Sequence, residues 1–185
     1  CIIVHRTDDA PPSLVEVFVY DFPAREVRHV CADLHHPAWR PDSRVILFVR
    51  RNPRSNDQTL WEVDVESRKE VCVFDKHVPA GHPSYHPRKP HIVMTDCYGG
   101  DFGYGLCYVN LKTREIAQLV AVPLGSRPAP IADPRFPFRN YHIWFPPRAY
   151  LNEPRPVWNR DGSKVFYTSQ ESGKFNLYVA DTPDV

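Results

Sequence analysis

The chain has 185 residues, a net charge of +1 with nine histidines, 20 prolines, eight glycines and 12% aromatic residues. So small a net charge argues against bulk electrostatic affinity for nucleic acid or anionic lipid, and no apolar run approaches the ~18 residues of a membrane helix. Proline and glycine interrupt the chain so often that short strands are the expected elements and nothing helical is required.

In chain order, Ile2-Ile3-Val4 and Val17-Phe18-Val19-Tyr20-Asp21 are the first strand-like runs. A box then appears at His36-Pro37-Ala38-Trp39-Arg40-Pro41-Asp42-Ser43: a basic residue, a proline, an aromatic and a turn. Nine residues after its histidine comes Val45-Ile46-Leu47-Phe48-Val49, and 24 after it comes Leu60-Trp61-Glu62-Val63-Asp64-Val65, followed by residues 70–74. The order repeats from His82-Pro83-Ser84-Tyr85, with His91-Ile92-Val93-Met94-Thr95 at nine, Leu106-Cys107-Tyr108-Val109-Asn110-Leu111 at 24, and residues 115–120 after it. It repeats again from Arg155-Pro156-Val157-Trp158-Asn159-Arg160-Asp161-Gly162, with Lys164-Val165-Phe166-Tyr167-Thr168 at nine and Leu177-Tyr178-Val179-Ala180-Asp181 at 22. A period of about 40–45 residues with several short strands per unit is the signature of a β-propeller.

An offset of 43 carries Leu60 to Asp64 back onto Val17 to Asp21. The expected architecture is therefore all-β: a β-propeller of four-stranded antiparallel blades forming one domain over residues 1–185. Blade parts fall at 1–31, 32–75, 78–120 and 155–185. On this reading the chain begins inside a blade and holds about half a ring, the remainder of the propeller being missing from it.

One connector breaks the period. Asp64 and Asn110 are 46 residues apart, whereas Asn110 and Asp181 are 71 apart, which leaves about 25 extra residues within 121–154. A flexible linker is rich in glycine and serine; this segment instead interleaves prolines and arginines with His142, Trp144, Arg148 and Tyr150. It reads as an ordered insertion on the rim, and long ordered loops tend to carry function.

Equivalent positions in successive blades point in equivalent directions, so His36, His82 and Arg155 are expected to converge on the mouth of the central channel. Three basic groups around one axis make a candidate anion or metal site. A His-Pro or Arg-Pro at a strand start is equally a structural device, with the side chain bonded to a neighbouring blade. His82 and Cys97, with Asp96 beside it, lie in one blade and offer ligand types that zinc accepts, whereas a hard divalent ion prefers carboxylate and histidine. A buried, inert Cys97 is the alternative. His91 reads as a packing residue, and His86 as a solvated turn residue. Nucleophile elbows, phosphate-cradling glycine loops and His-Glu-x-x-His are missing from the sequence. Five cysteines without a disulfide framework lean toward a reducing, cytoplasmic compartment.

His36-Pro37-x-Trp39-x-Pro41-Asp42 followed by an apolar strand resembles the repeat of TolB-like propellers. Gly81-His82-Pro83-Ser84-Tyr85 leading to Met94-Thr95-Asp96-Cys97-Tyr98 looks like propeller polysaccharide lyases, and the last unit is similar to oligogalacturonate lyase and its relatives, including ulvan lyases. The resemblance covers about residues 30–182. It implies β-elimination on uronic-acid-containing glycans, with an acidic oligosaccharide or polysaccharide as partner. By matched position His82 is the first catalytic candidate and His36 the second. A divalent metal, manganese or zinc, is implied, with His82 as candidate ligand and His142 on its loop position alone; Cys97 joins them as the ligand type that its place in the blade offers. Arg155 stands where those lyases carry histidine, which removes a ligand or substitutes a guanidinium that pairs bidentately with a carboxylate. Tyr98 is the candidate proton donor and Arg51 a second carboxylate clamp. Arg148, Trp144 and Tyr150 of the insertion would bind and stack on sugar rings. A non-catalytic TolB- or WD40-like propeller that binds a protein or glycan is the alternative, since fold does not dictate function.

Overall fold

The structure is a computed structural model and describes residues 1–7, 14–52, 54, 55, 57–78, 81–98, 102–122, 154–169, 171, 172 and 176–183. Among these it is all-β, with fourteen strands in four antiparallel sheets. The first sheet holds β1 (Ile2–Thr7), β2 (Leu14–Asp21) and β3 (Glu26–Ala32). The second holds β4 (His35–Trp39), β5 (Val45–Arg51), β6 (Gln58–Asp64) and β7 (Glu70–Phe74). The third holds β8 (Ser84–Tyr85), β9 (Ile92–Tyr98), β10 (Tyr104–Asn110) and β11 (Glu115–Ala121). The fourth holds β12 (Val157–Trp158), β13 (Lys164–Ser169) and β14 (Asn176–Asp181). Each sheet is a meander whose neighbours in space are neighbours in sequence. This is the β-propeller that the repeat predicts.

The continuous apolar run of β5 is explained by burial on both faces. Ile46 and Phe48 pack toward the first sheet with Val17, Val30 and Leu34, whereas Leu47 and Val49 pack toward the third with Tyr85, Val93 and Val109. Strand alternation sends successive side chains to opposite faces, so a strand sandwiched between two sheets needs an apolar residue at every position. β9 does the same, with Val93 facing the second sheet and Met94 facing Val165 and Tyr167 of the fourth. The far face of the fourth sheet leaves Val157, Leu177 and Val179 exposed.

The repeat extends to features the sequence hid. A register shift falls between Val17 and Phe18, between Leu60 and Trp61, and between Leu106 and Cys107, the same position in three sheets. Such bulges increase the local twist. The turn into each outer strand carries an arginine in the left-handed region: Arg25, Arg68 and Arg114 have φ of 55°, 57° and 60°.

The box aromatics act as wedges toward the preceding sheet. Trp39 packs on the core shared by the first and second sheets. The Tyr85 hydroxyl donates to Glu62 of the second sheet, and Trp158 Nε1 donates to the Ser84 carbonyl of the third at 3.4 Å. His86 departs from the expected solvated turn: it is 5% exposed, packs against Trp158 with ring centroids 4.7 Å apart and planes inclined at 58°, and accepts the amides of Arg88 and Lys89 on Nδ1. Contact with the next blade, which the local sequence does not encode, is what buries it.

Candidate functional site

The inner strands enter from one rim, and there the basic residues of the boxes meet. The His36 and His82 rings lie edge to face, 4.6 Å apart between centroids and inclined at 62°. They belong to adjacent sheets, so blade packing creates the pair. His36 has φ of 54° and Arg155 φ of 44°, each immediately before a proline. Proline pushes the preceding residue toward extended conformations, and a left-handed residue there stores about 1–3 kcal/mol of strain. The strain thus falls at equivalent positions of two blades, on one rim.

Asp96 organises the group. It sits on β9, is fully buried, and faces the fourth sheet with Met94. Oδ1 accepts the His82 backbone amide at 2.6 Å and Oδ2 bonds His82 Nδ1 at 2.8 Å. Oδ2 also accepts the Arg155 backbone amide at 3.2 Å. Pro154, just before it, is held by its carbonyl, which accepts the Thr168 amide at 2.9 Å. One buried carboxylate thus fixes the entry of two successive inner strands. A buried carboxylate at Nδ1 favours the tautomer that carries its proton on that nitrogen. The His82 side chain is 28% exposed, held by Asp96 on one side and by the His36 ring against its own.

Cys97 lies on the other face of β9. Its neighbour Asp96 looks toward the fourth sheet, and alternation turns Cys97 away from it. Its sulfur accepts from Cys107 Sγ at 2.9 Å, and both thiols are fully buried. This hydrogen bond and burial push the Cys107 thiol up. Burial likewise pushes Cys31 up to about 12. All five cysteines are free.

The structure therefore brings His36, His82 and Arg155 to one rim and adds Asp96, which the sequence offered only as a neighbour of Cys97. A carboxylate inside the otherwise buried strand Ile92–Tyr98 was the available signal, because a buried charge requires partners. Tyr98 ends the same strand, two residues beyond Asp96, paired with Tyr104. Arg51 does not join the histidines; it lines a separate cleft of about 560 Å³ with Arg50, Trp61 and Asp33. His142, Trp144, Arg148 and Tyr150 lie outside the described residues. Among the described residues no three His, Cys, Asp or Glu side chains are grouped to hold a metal ion; His36 and His82 offer two imidazoles, and Asp96 is engaged behind one of them.

No protein-family model and no curated protein sequence matches the chain. Solved structures do. TolB from Acinetobacter baumannii aligns with a TM-score of 0.66 at 14% identity, over 99% of this chain and 39% of that protein. An oligogalacturonate lyase in complex with manganese aligns with a TM-score of 0.67 at 16% identity, over 100% of this chain and 49% of the lyase. The oligogalacturonate lyase of Vibrio parahaemolyticus gives 0.64 at 17% identity, over 97% and 49%. The chain spans half or less of the length of these proteins, and at such identities the likeness shows the fold: a β-propeller similar to TolB and to oligogalacturonate lyase.

Proposed function

We propose that this rim binds uronic-acid-containing glycans and cleaves them by β-elimination. The observation that carries the reading is the His82–Asp96 pair, a partly exposed imidazole backed by a fully buried carboxylate. In this reading Asp96 holds the Nδ1 proton and His82 Nε2 acts as the base. It takes the proton from the ring carbon that bears the uronate carboxylate. The electron pair left behind forms a carbon–carbon double bond to the adjacent ring carbon, whose bond to the glycosidic oxygen breaks. That oxygen leaves with a proton, for which Tyr98 is the candidate donor. The proton on carbon is acidic enough only when the carboxylate charge is neutralised, and Arg155 is the candidate for that task. His36 supports the His82 ring from the neighbouring blade.

The manganese in one similar lyase belongs to that protein. The described residues of this chain do not complete such a site, so the steps above use none. A divalent ion would require a third ligand, and His142 is the candidate.

The test is to incubate the protein with a panel of uronate oligosaccharides and follow the ultraviolet absorbance of the unsaturated product, with and without a chelator. Absorbance is expected to rise with at least one substrate and to be abolished by His82→Ala. Loss on chelation would add a metal to the mechanism. No rise with any substrate would replace this reading with that of a propeller that binds its partner without chemistry.

A further inference from the structure

Cys97 and Cys107 are two thiols in contact that the rim chemistry leaves unused. Both are fully buried, and their sulfurs stand 2.9 Å apart, inside the roughly 3.5–4.0 Å at which even two smaller carbon atoms rest. The strand register explains the approach. Cys97 is opposite Gly105 and Cys107 is opposite Thr95, so the two cysteines are diagonal neighbours on one face of the β9–β10 pair. Gly105 has no side chain to compete for that space, and the Cys97 sulfur leans across to Cys107.

A disulfide would shorten this contact to about 2.0 Å. Diagonal neighbours stand about 7–8 Å apart, whereas a disulfide spans Cα atoms about 4.4–6.8 Å apart, so the bond closes only with a local shift of the backbone. β10 is paired on both sides along its length, but β8 reaches β9 only at Val93 and Met94. At Cys97, therefore, β9 is the strand that moves. Asp96 moves with it: its carbonyl accepts the Gly81 amide at 3.2 Å, and its carboxylate holds His82 at the backbone amide and at Nδ1.

We propose that Cys97 and Cys107 form a reversible thiol–disulfide pair that hydrogen peroxide closes, and that closing it displaces Asp96 from His82. Cys107 donates its S–H to Cys97, which places the thiolate charge on Cys97, the form that attacks an oxidant. Burial of both sulfurs excludes a bulky oxidant and selects one little larger than water. The Cys97 thiolate attacks one peroxide oxygen, the O–O bond breaks, and the departing hydroxide takes up the proton that Cys97 released. The Cys107 sulfur then attacks the sulfur of the resulting sulfenic acid. The S–O bond breaks, and hydroxide leaves with the Cys107 proton as water. Two thiols lose two electrons in all, and one peroxide becomes two waters. Neither step uses a glycan, so the pair stands independently of the elimination chemistry.

The test treats the intact protein with hydrogen peroxide and digests it without reduction for mass spectrometry. A Cys97–Cys107 cross-linked peptide pair is expected, with loss of two alkylatable thiols in the denatured protein and recovery of both on dithiothreitol. The His82 ring signals should shift on oxidation and return on reduction. Cys107→Ala should abolish the link and the shift, whereas Cys72→Ala should keep both. Cys97→Ala serves as the second variant, and the peptide map of the unaltered protein decides without either. Absence of the link, oxidation that dithiothreitol does not reverse, or a link that leaves the His82 signals unmoved overturns the proposal.

Discussion

His82 is competent only in one tautomer, and a single buried side chain selects it. Asp96→Asn preserves the shape of that side chain but replaces its acceptor-only carboxylate with an amide that can present a donor to Nδ1. If His82 acts as the base, elimination should fall by about 10²–10⁴-fold, the range over which positioned proton transfer contributes, and the pH–rate profile should move. Nitrogen chemical shifts of His82 would report the lost Nδ1 proton directly. Unchanged shifts would show that Asp96 does not set the tautomer, whatever happens to the rate. His86 makes a different use of the same side chain. Gly162 has φ of 81°, and a Cβ there would overlap the His86 imidazole. Gly162→Ala should destabilise the protein by more than about 2 kcal/mol, through overlap added to left-handed strain. In a His86→Ala background the penalty should shrink to the conformational part, about 1 kcal/mol. Equal penalties in both backgrounds would remove His86 from the explanation.

At the scale of the element, the turns before the outer strands tell most. Arg25, Arg68 and Arg114 all occupy left-handed backbone, a conformation that costs an L-residue about 1–2 kcal/mol and glycine nothing. Arg114 has a compensating role: it bonds Asp75, reaches the Val73 carbonyl at 3.4 Å and lies over the Phe74 ring, stitching the third sheet to the second. Arg68 sits in an exposed turn. Arg68→Gly should therefore raise the unfolding free energy by about 0.5–1 kcal/mol once the extra freedom of glycine in the unfolded chain is counted, read as a higher urea midpoint, whereas Arg114→Gly should gain less or lose stability. The same change in both variants would mean that the Arg114 contacts contribute nothing. The spacing of Arg25, Arg68 and Arg114 is visible in the sequence, but nothing in it announces the positive φ. Arginine has no preference for that region, and the turn geometry alone imposes it.

For the whole molecule, buried and crowded histidines predict how stability follows pH. Burial, then Lys89, holds His86 below the usual histidine range, and burial with Lys112 and Lys89 does the same for His91. The unfolded chain therefore takes up these protons first as pH falls. Stability should be fully present above about pH 6.5 and decline as pH drops from there toward the lower folded-state values. Urea midpoints at pH 7.5, 6.5 and 5.5 should descend in that order; a flat or rising series would contradict the burial of these rings. Legibility follows the range of the interactions involved. Strand order, turn positions and the blade repeat could be read from sequence because local alternation and turn chemistry encode them within about ten residues. The aromatic boxes could be recognised, but their function as wedges between blades could not, because each partner lies in another sheet. The convergence of His36, His82 and Arg155 at one rim followed from the repeat. Asp96 behind His82, the burial of His86, the turning away of Cys97 and the separation of Arg51 from the histidines did not. The sequence by itself determined the propeller, since a period repeated in chain order needs no long-range information. Only the tertiary structure decided which carboxylate stands behind which imidazole and which ring covers His86, because the first depends on how a blade's inner strand entry meets its second strand and the second on how neighbouring blades pack side by side.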